Sequence, residues 1–400
     1  MAQFTRRDLL AATMASVMAP VRAVAAAAKP VRIQAVDVYP IRLPATETER
    51  KAGFNYAYSV AEIRTDAGVT GYSFAGSSPQ ALPELRRILV GKDLFAVEQH
   101  LRDGLIAHGG VEHAVWDAIG KVAGQPVYRL LGGTANQVKP YLTCVWPGPA
   151  DQQQVPFRDQ VEMAVKIKKA GFKGMKIRVW RPNPMDDVEV CRQIKAEVGP
   201  DFSLMFDRTA HAPVQMAGQP IWDYKTGLKV ARALQEAGAY WLEEPFARED
   251  YEGPARLAAA VDIPITGGEG YQGMESFRQC VAHGTYDILQ PDGRGAGGIL
   301  TCRKVGVLAE SFHFRCILHG TMGLMLGGWV QATLANGSEW QEVALITPPL
   351  MPEEQWAPAM KILRQDRMFQ IRDGVLHAPE APGLGFEVNA EALAQYRVKT

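Results

Sequence analysis

Seven ionisable residues of this sequence each follow a short apolar run, at intervals of about 23 to 36 residues, close to the length of one strand-helix unit. In a parallel barrel the C-terminal ends of the strands meet on one face, so residues distant in sequence converge there. The pattern therefore predicts an active site assembled from strand ends. The residues are Lys176, Asp207, Glu243, Glu269, Asp292, His319 and Glu342.

Among the seven, three carboxylates lie on three consecutive predicted strands and are candidates for one shared site. They are Asp207 in SLMFDRT, Glu243 in YWLEEP and Glu269 in IPITGGEG. Hard oxygen ligands of this kind suit Mg²⁺ and leave positions for substrate oxygens. One such carboxylate alone would be read as a loop residue or a helix N-cap, whereas three in a row favour a metal site. Glu244 must point away from Glu243 on an alternating strand, so we expect it to support the site through hydrogen bonds.

Asp292 and His319 end the next two predicted strands and form a possible proton-transfer pair. An aspartate that accepts from one imidazole nitrogen fixes the tautomer and raises the basicity of the other nitrogen. A lone histidine is more often a structural core residue, but its position opposite Asp292 favours catalysis.

Two cations, Lys176 and Arg178, lie two residues apart on one predicted strand and so point the same way, into the barrel mouth. There they could neutralise a substrate carboxylate and the charge that develops on it. Exposed strand-end cations are the alternative. Glu342 is expected to hydrogen-bond the substrate carboxylate from the other side.

The elements that must position these residues form a strand-helix alternation across residues 138–347. Eight short apolar runs predict parallel strands, with amphipathic stretches such as Val161–Ala170 between them. An α/β fold of the (β/α)-barrel type is predicted, and an open doubly wound sheet is disfavoured because no GxGxxG turn follows the first strand. The runs end at Cys144, Ile177, Phe206, Leu242, Ile265, Leu289, Leu318 and Leu345.

Segments of different character flank the predicted barrel. Residues 30–137 place alternating strands before a helical stretch at Val111–Val122, which predicts an α+β domain. Residues 348–400 lose the alternation and are rich in Pro and Gly, and we expect them to pack back on the N-terminal domain.

Composition places the chain among ordinary globular proteins, with 47% hydrophobic and 22% charged residues over 400 residues. Lys+Arg and Asp+Glu both total 43, so charge gives no reason to expect nucleic acid or an anionic membrane as a partner. The five cysteines lack metal-ligand spacing and are odd in number, which predicts free thiols.

The first 28 residues have the features of a secretory signal: Arg6-Arg7, a mild apolar run over Leu9–Val21, and Ala23-Val24-Ala25 as a small-residue cleavage site. The arginine pair is typical of a twin-arginine signal, and an Ala-rich amphipathic helix is the alternative. The apolar run is too short to span a bilayer. Export by the twin-arginine translocase would place the folded protein in the periplasm, with no membrane attachment after processing.

The ordered set of motifs resembles the enolase superfamily, in its mandelate racemase/muconate lactonizing enzyme-like branch. AVWDAIGKVAGQPVYRLLGG resembles the family's capping domain; LEEP, GGE, QPD and the isolated His319 resemble its barrel signatures; and PGLGFEVN resembles its return segment. The resemblance implies a modified TIM barrel with an α+β capping domain that the C-terminal segment completes.

The same resemblance implies Mg²⁺ on Asp207, Glu243 and Glu269, and a small carboxylate substrate that loses its α-proton through an enediolate. Racemases of this branch carry Lys-x-Lys on the second strand, but here the second position is Arg178, which cannot be deprotonated at neutral pH. One-base dehydration of a sugar acid to a 2-keto-3-deoxy acid is therefore favoured. A racemase, epimerase or cycloisomerase, or a non-catalytic periplasmic sugar-acid binding protein, stays an alternative. The family also implies a homo-oligomer.

Two further segments are candidates for substrate binding. The loop after Asp207 is longer than the family's usual link and brings Arg208 and His211 toward the mouth, although His211 could equally be a surface residue. In the predicted capping domain, Tyr56 and Tyr58 could cover the substrate or belong to the core.

Overall fold

The structure is a computed structural model that describes residues 29–45, 47, 50, 56–146, 155–209, 220–346 and 351–398. The described residues from Val31 onward make up one compact unit. The predicted signal over residues 1–28 lies outside the described residues. Within the described parts, no helix has the length and apolar character needed to cross a membrane.

The N-terminal part contains a three-stranded antiparallel sheet in the order β1-β2-β3, with helices on one side. Asp66-Ala67-Gly68 connects β2 to β3 in a tight turn, with Gly68 at φ 72°. A separate apolar cluster fills the space between this sheet and its helices. The elements are β1 Ile33–Arg42, β2 Ala57–Thr65, β3 Thr70–Ser73, α1 Leu82–Leu89, α2 Val97–Arg102, α3 Gly109–Ala123 and α4 Val127–Leu130.

Eight parallel strands follow and close into a barrel. Each of the strands β4 to β9 pairs with the next in sequence order. β11 pairs with β4 along its length, and the bridge between Thr321 and Val343 joins it to the segment after β10. The strands are β4 Gln137–Val145, β5 Gly174–Arg178, β6 Ser203–Asp207, β7 Trp241–Glu243, β8 Ile265–Gly267, β9 Ile288–Leu289, β10 Arg315–Cys316 and β11 Trp340–Ile346.

Within the described residues, one α-helix lies between each pair of consecutive barrel strands, and a short helix follows β11. The prediction of a (β/α)-barrel joined to an α+β domain is therefore confirmed. The helices are α5 Phe157–Lys169, α6 Pro184–Val198, α7 Tyr224–Glu236, α8 Glu252–Ala258, α9 Gly273–His283, α10 Ile299–Ser311, α11 Leu326–Ala335 and α12 Pro352–Trp356. Short 3₁₀ helices occupy Pro79–Ala81, Leu105–His108, Gly323–Met325 and Ala357–Ile362.

The C-terminal segment contains β12 Gln370–Arg372, β13 Val375–His377 and α13 Ala390–Gln395. β13 pairs antiparallel with the start of β4. The backbone of Leu384 donates to Asp117 of α3 (2.8 Å), and that of Val398 donates to Pro40 of β1 (3.0 Å). The segment thus contacts both the barrel and the N-terminal part. The predicted domain limits stay predictions, since the described residues from Val31 onward form a single compact unit.

The two ends of the barrel interior differ in chemistry. Apolar and aromatic side chains fill one end, where Tyr141 meets Trp241 and Trp340 edge to face. The other end carries the charged residues described below. All five cysteines are free thiols, as predicted; Cys316 is half-buried and the other four are buried.

Candidate active site

Lys176 lies at the centre of a fully buried ionic cluster at the C-terminal end of the barrel. Its Nζ is 2.8 Å from Oε2 of Glu243, 2.9 Å from Oε1 of Glu342 and 3.4 Å from Oδ2 of Asp207. None of these four side chains is more than 3% exposed. Strand register produces this contact, because Asp207 and Glu243 are direct partners across β6 and β7 and Lys176 is on adjacent β5.

Charge compensation keeps Lys176 and Glu342 of this cluster ionised. Burial by itself lowers the pKa of Lys176, but the surrounding carboxylates Glu243, Glu342 and Asp207 outweigh it and raise the pKa above its ordinary value. For Glu342, burial raises the pKa while the charges of Lys176 and His319 lower it, with a net result of about 2. Lys176 therefore stays protonated and provides a fixed positive charge.

Glu342 is held from three sides. It faces Tyr141 across β11 and β4, and its carboxylate accepts hydrogen bonds from Tyr141 Oη (2.9 Å), Thr143 Oγ1 (2.5 Å) and the Gly320 amide (2.8 Å). Gln290 plays a similar part for Glu243, donating from Nε2 at 3.1 Å. Lys176 and these contacts fully engage Glu342, which differs from the predicted hydrogen bond to substrate.

His319 belongs to a second, more open part of the site. Its Nδ1 is 3.0 Å from Oδ2 of Asp292, and its Nε2 is 2.9 Å from Oε2 of Glu269. A parallel bridge between residues 292 and 319 explains why the two side chains meet. The side chains of His319, Asp292 and Glu269 are 25%, 16% and 14% exposed, so this part is accessible to a ligand.

The ring of His319 is electrostatically coupled to both carboxylates. Burial lowers its pKa, but the charge of Glu269 and the hydrogen bond to Asp292 outweigh that effect and raise the pKa well above the ordinary value. Asp292 is fixed in turn by the backbone amides of Arg294 (2.9 Å) and Gly295 (2.5 Å), both of which donate to its Oδ1.

Two arginines donate hydrogen bonds to carboxylates of the site. Arg178 donates to Asp207 and to Thr209. Arg248 donates from Nε to Oε1 of Glu244 (3.1 Å) and from Nη2 to Oε1 of Glu269 (2.5 Å), which agrees with the supporting role predicted for Glu244. Glu244 has φ 42°, a conformation that non-glycine residues seldom adopt away from functional sites.

The predicted magnesium ligands fit the ion in chemistry. Asp207, Glu243 and Glu269 are hard oxygen donors at the C-terminal ends of three neighbouring strands. In this arrangement each one contacts side-chain cations: Lys176, Arg178, Arg248 or His319. No three His, Cys, Asp or Glu side chains among the described residues therefore come together as a metal set. The ligand set stays a prediction.

Three of the residues predicted to bind substrate, Arg208, Tyr56 and Tyr58, are buried instead of lining the mouth. Arg208 is buried and donates to the backbone carbonyls of Val179 (2.9 Å) and Pro220 (2.7 Å), so it supports the fold instead of facing a ligand. It follows Asp207 on an alternating strand, and so points the opposite way. Tyr56 and Tyr58 belong to the hydrophobic core, and His211 lies outside the described residues.

Sequence reasoning missed four supporting residues: Tyr141, Thr143, Gln290 and Arg248. Tyr141 and Thr143 lie two residues apart on β4, so their side chains point to the same face of the strand. This alternation could have indicated both residues. Gln290 is the first residue of the QPD motif, which could have indicated it, whereas the only signal for Arg248 is its nearness to the EEP motif.

Comparisons with known proteins extend these observations. The family described as enolase C-terminal domain-like matches residues 158–392, and the mandelate racemase / muconate lactonizing enzyme N-terminal domain matches residues 31–132. Arabinonate dehydratase of Saccharolobus solfataricus is 28% identical over 79% of each chain. D-galactarolactone cycloisomerase of Agrobacterium fabrum is 28% identical over 86% of this chain and 92% of that protein.

Among solved structures, D-glucarate dehydratase from Agrobacterium tumefaciens, complexed with magnesium, matches with a TM-score of 0.77 at 24% identity, covering 92% of this chain and 99% of that one. The fold is therefore shared along nearly the whole chain. The named relatives are sugar-acid dehydratases, which are lyases, together with cycloisomerases, which are isomerases.

Proposed function

Because the chain belongs to the mandelate racemase / muconate lactonizing enzyme branch of the enolase superfamily, we propose that it is a magnesium-dependent dehydratase of a sugar acid. The observation that carries this proposal is the position of His319, hydrogen-bonded to Asp292 and adjacent to Glu269. One imidazole with an orienting carboxylate is the arrangement required of a general base.

Asp207, Glu243 and Glu269 would hold Mg²⁺, which when bound neutralises negative charge on substrate oxygens. Lys176 contributes a second, fixed positive charge beneath them. With Mg²⁺ bound to Glu269, the charge that contributes most to raising the pKa of His319 would be neutralised. More of the ring would then be unprotonated and able to accept a proton at Nε2. Asp292 keeps the other nitrogen protonated and the ring oriented.

The reaction begins as His319 takes the α-proton. The electron pair of that C–H bond then forms a carbon–carbon double bond, and the β-hydroxyl leaves with a proton as water. The resulting enol tautomerises to a 2-keto-3-deoxy acid. His319 itself, protonated in the first step, is a candidate for the acid that protonates the leaving hydroxyl.

The residue type at position 178 favours elimination over racemisation. Arg178 occupies the position where a second base would be needed, and a guanidinium does not deprotonate in proteins. Lys176 is also held protonated by its carboxylate partners. Among the described residues at the site, His319 is therefore the base that this arrangement favours.

A cycloisomerase is the second candidate, supported by the 28% identity to D-galactarolactone cycloisomerase. The same base could start either reaction, because both begin with removal of an α-proton from a carboxylate. The products differ, since a cycloisomerase leaves the substrate mass unchanged whereas a dehydratase removes one water.

A screen of acid sugars with purified protein and Mg²⁺, in H₂O and in D₂O, tests the proposal. We expect a 2-keto product that lacks one water, and no product from His319→Asn or after chelation of the metal. Deuterium incorporation at the α-carbon without loss of water would contradict dehydration and support an isomerase. Turnover by His319→Asn equal to the parent would contradict the assigned base.

We also propose export through the twin-arginine translocase to the periplasm, on the strength of Arg6-Arg7, the apolar run that follows and the small residues near position 25. Replacing Arg6-Arg7 by Lys-Lys should retain the protein in the cytoplasmic fraction with its precursor length. Equal periplasmic amounts of parent and variant would contradict this route.

Assembly into a homo-oligomer is proposed from the family alone. Light scattering coupled to size-exclusion chromatography should give a mass that is a multiple of the 43.8 kDa chain, less any cleaved signal. A monomer mass at all concentrations would contradict it.

A further inference from the structure

Helix α3 of the N-terminal part grips the turn that carries Asp292. The Nε2 of His113 is 2.7 Å from the carbonyl oxygen of Gly293, the residue directly after Asp292. The carbonyl can only accept, so His113 donates from Nε2. A side chain from outside the barrel sequence thus bonds the backbone next to the residue that orients His319.

The shape of this turn determines where the Asp292 carboxylate points. Its Oδ1 accepts from the amides of Arg294 and Gly295, and its Oδ2 faces His319. A shift of the backbone at Gly293 would move those two amides and therefore the carboxylate they hold. His319 would then lose the partner that fixes its tautomer.

Glu112, the neighbour of His113, fixes the far end of the same turn. Its fully buried carboxylate accepts from the amides of Ile299 (2.8 Å) and Leu300 (3.0 Å) at the start of α10. Gly298 makes this possible, because it has φ 106° and a Cβ there would lie 2.5 Å from Oε2 of Glu112. Residues 293–300 are therefore held by α3 at both ends.

Close packing leaves His113 little freedom. It is fully buried, and its ring meets Trp329 of α11 edge to face at 5.1 Å. On the same helix, Gly109 lies against the turn so closely that a Cβ would be 2.3 Å from the Arg294 carbonyl oxygen. Burial lowers the pKa of His113 to about 4, so the ring is neutral and does not itself exchange protons with the site.

We propose that His113 is a positioning residue for the Asp292–His319 pair, through which the N-terminal part of the chain sets the geometry of proton transfer in the barrel. Its effect on turnover depends on the proposed function, whereas its effect on the turn does not.

The chain offers a matched control in His100 of α2. His100 is also buried in the N-terminal part, and its Nε2 bonds a backbone carbonyl, that of Asp93, at 2.8 Å. His100→Phe therefore removes the same kind of interaction without touching the Asp292 turn. His113→Phe keeps a ring but loses the donor, and His113→Gln retains an amide N–H near the Nε2 position.

Hydrogen exchange of full-length protein, read by mass spectrometry, tests the structural step without a substrate. We expect faster exchange over residues 293–300 in His113→Phe, close to parent rates there in His113→Gln, and parent rates there in His100→Phe. Equal exchange of this segment in the parent and His113→Phe, or an equal increase in His100→Phe, would overturn the proposal. This readout stands even if no acid sugar is a substrate.

Kinetics with Mg²⁺ and a substrate found in the screen test the catalytic step. A misplaced group can cost about 10- to 100-fold in rate, so we expect His113→Phe to lower kcat by that factor with KM little changed. His113→Gln should recover most of the loss and His100→Phe should keep parent kcat. If His113 had only a structural role, kcat would fall equally in His113→Phe and His100→Phe. That result, or an unchanged kcat in His113→Phe, would overturn the proposal.

Discussion

The two parts of the candidate site use the same residue types in opposite ways. Around Lys176, four ionisable side chains are sealed from solvent. Lys176 and Glu342 hold each other in the charged form, whereas burial raises the pKa of Glu243 to about 8. Around His319, the imidazole and its two carboxylates are partly exposed and can meet a ligand. On the proposed function, Lys176 in the buried cluster would provide a fixed positive charge and the open cluster would transfer the proton.

The largest effect expected from this division is on turnover. His319→Asn should lower kcat by about 10²- to 10⁴-fold, the usual contribution of a general base, while the free energy of unfolding changes far less than in the Lys176 variant below. Steady-state kinetics and chemical denaturation measure the two quantities. His313→Asn is the control, since His313 is exposed and its φ of 63° is one that asparagine tolerates. Similar kcat values in the two variants would contradict the assignment.

Removing the central cation of the buried cluster should act on stability. Lys176→Met leaves Asp207, Glu243 and Glu342 buried without their shared partner, and we expect a loss of about 3–5 kcal/mol in the free energy of unfolding. Lys139→Met is the control, because Lys139 pairs with Glu339 in an exposed position (2.9 Å) and such pairs contribute about 0–1 kcal/mol. Urea denaturation compares them, and equal losses would disprove the special role of the buried cluster.

Mg²⁺ should connect the two clusters, since its predicted ligands come from both. At about 100 times its Kd, the ion should stabilise the protein by about 2.7 kcal/mol, seen as a rise in Tm that chelation reverses. Glu269→Gln should weaken this rise strongly, and Glu339→Gln, altered at an exposed residue outside the site, should keep it. An undiminished rise in Glu269→Gln would remove Glu269 from the ligand set.

The smallest effect concerns the histidine behind the open cluster. Burial lowers the pKa of His113 to about 4, whereas an unfolded histidine titrates near 6.5. Between these values the unfolded chain binds a proton that the folded chain does not, so His113 makes stability fall as the pH falls, by up to about 1.4 kcal/mol per pH unit.

His113→Gln lacks this dependence, so the stability advantage of the parent over the variant should shrink between pH 6.5 and 5. Denaturation curves at several pH values measure it. A difference that stays constant with pH would mean that His113 is protonated in the folded protein.

Much of the fold and site could be predicted because strand ends repeat at a regular spacing. The barrel follows from eight apolar runs, and the approach of Lys176 to Glu243, and of His319 to Asp292, follows from their shared place at strand ends. Contacts that depend on side-chain direction were harder. Arg208 was misplaced because one step along a strand reverses the face.

Hydrogen bonds between residues distant in sequence leave no local signal in the sequence pattern. His113 lies in a helix whose pattern predicts only packing, and its bond to Gly293 spans 180 positions. Thr143 and Gln290 look like ordinary strand residues until the pairing of β4 with β11 and the position of Glu243 are known. Such hydrogen bonds are determined by register and domain packing, which one sequence does not specify.

The burial of the cysteines has a consequence for the proposed export through the twin-arginine translocase. Reactive chemistry at cysteine requires the thiolate, and burial raises the pKa of Cys191 to about 12, which keeps its thiol protonated. A chain threaded unfolded into an oxidising space would expose five thiols that form no native disulfide, and mispaired disulfides could trap it. A chain that crosses already folded carries four of them shielded in its interior, so on the proposed route the order of folding and transport itself protects against oxidation.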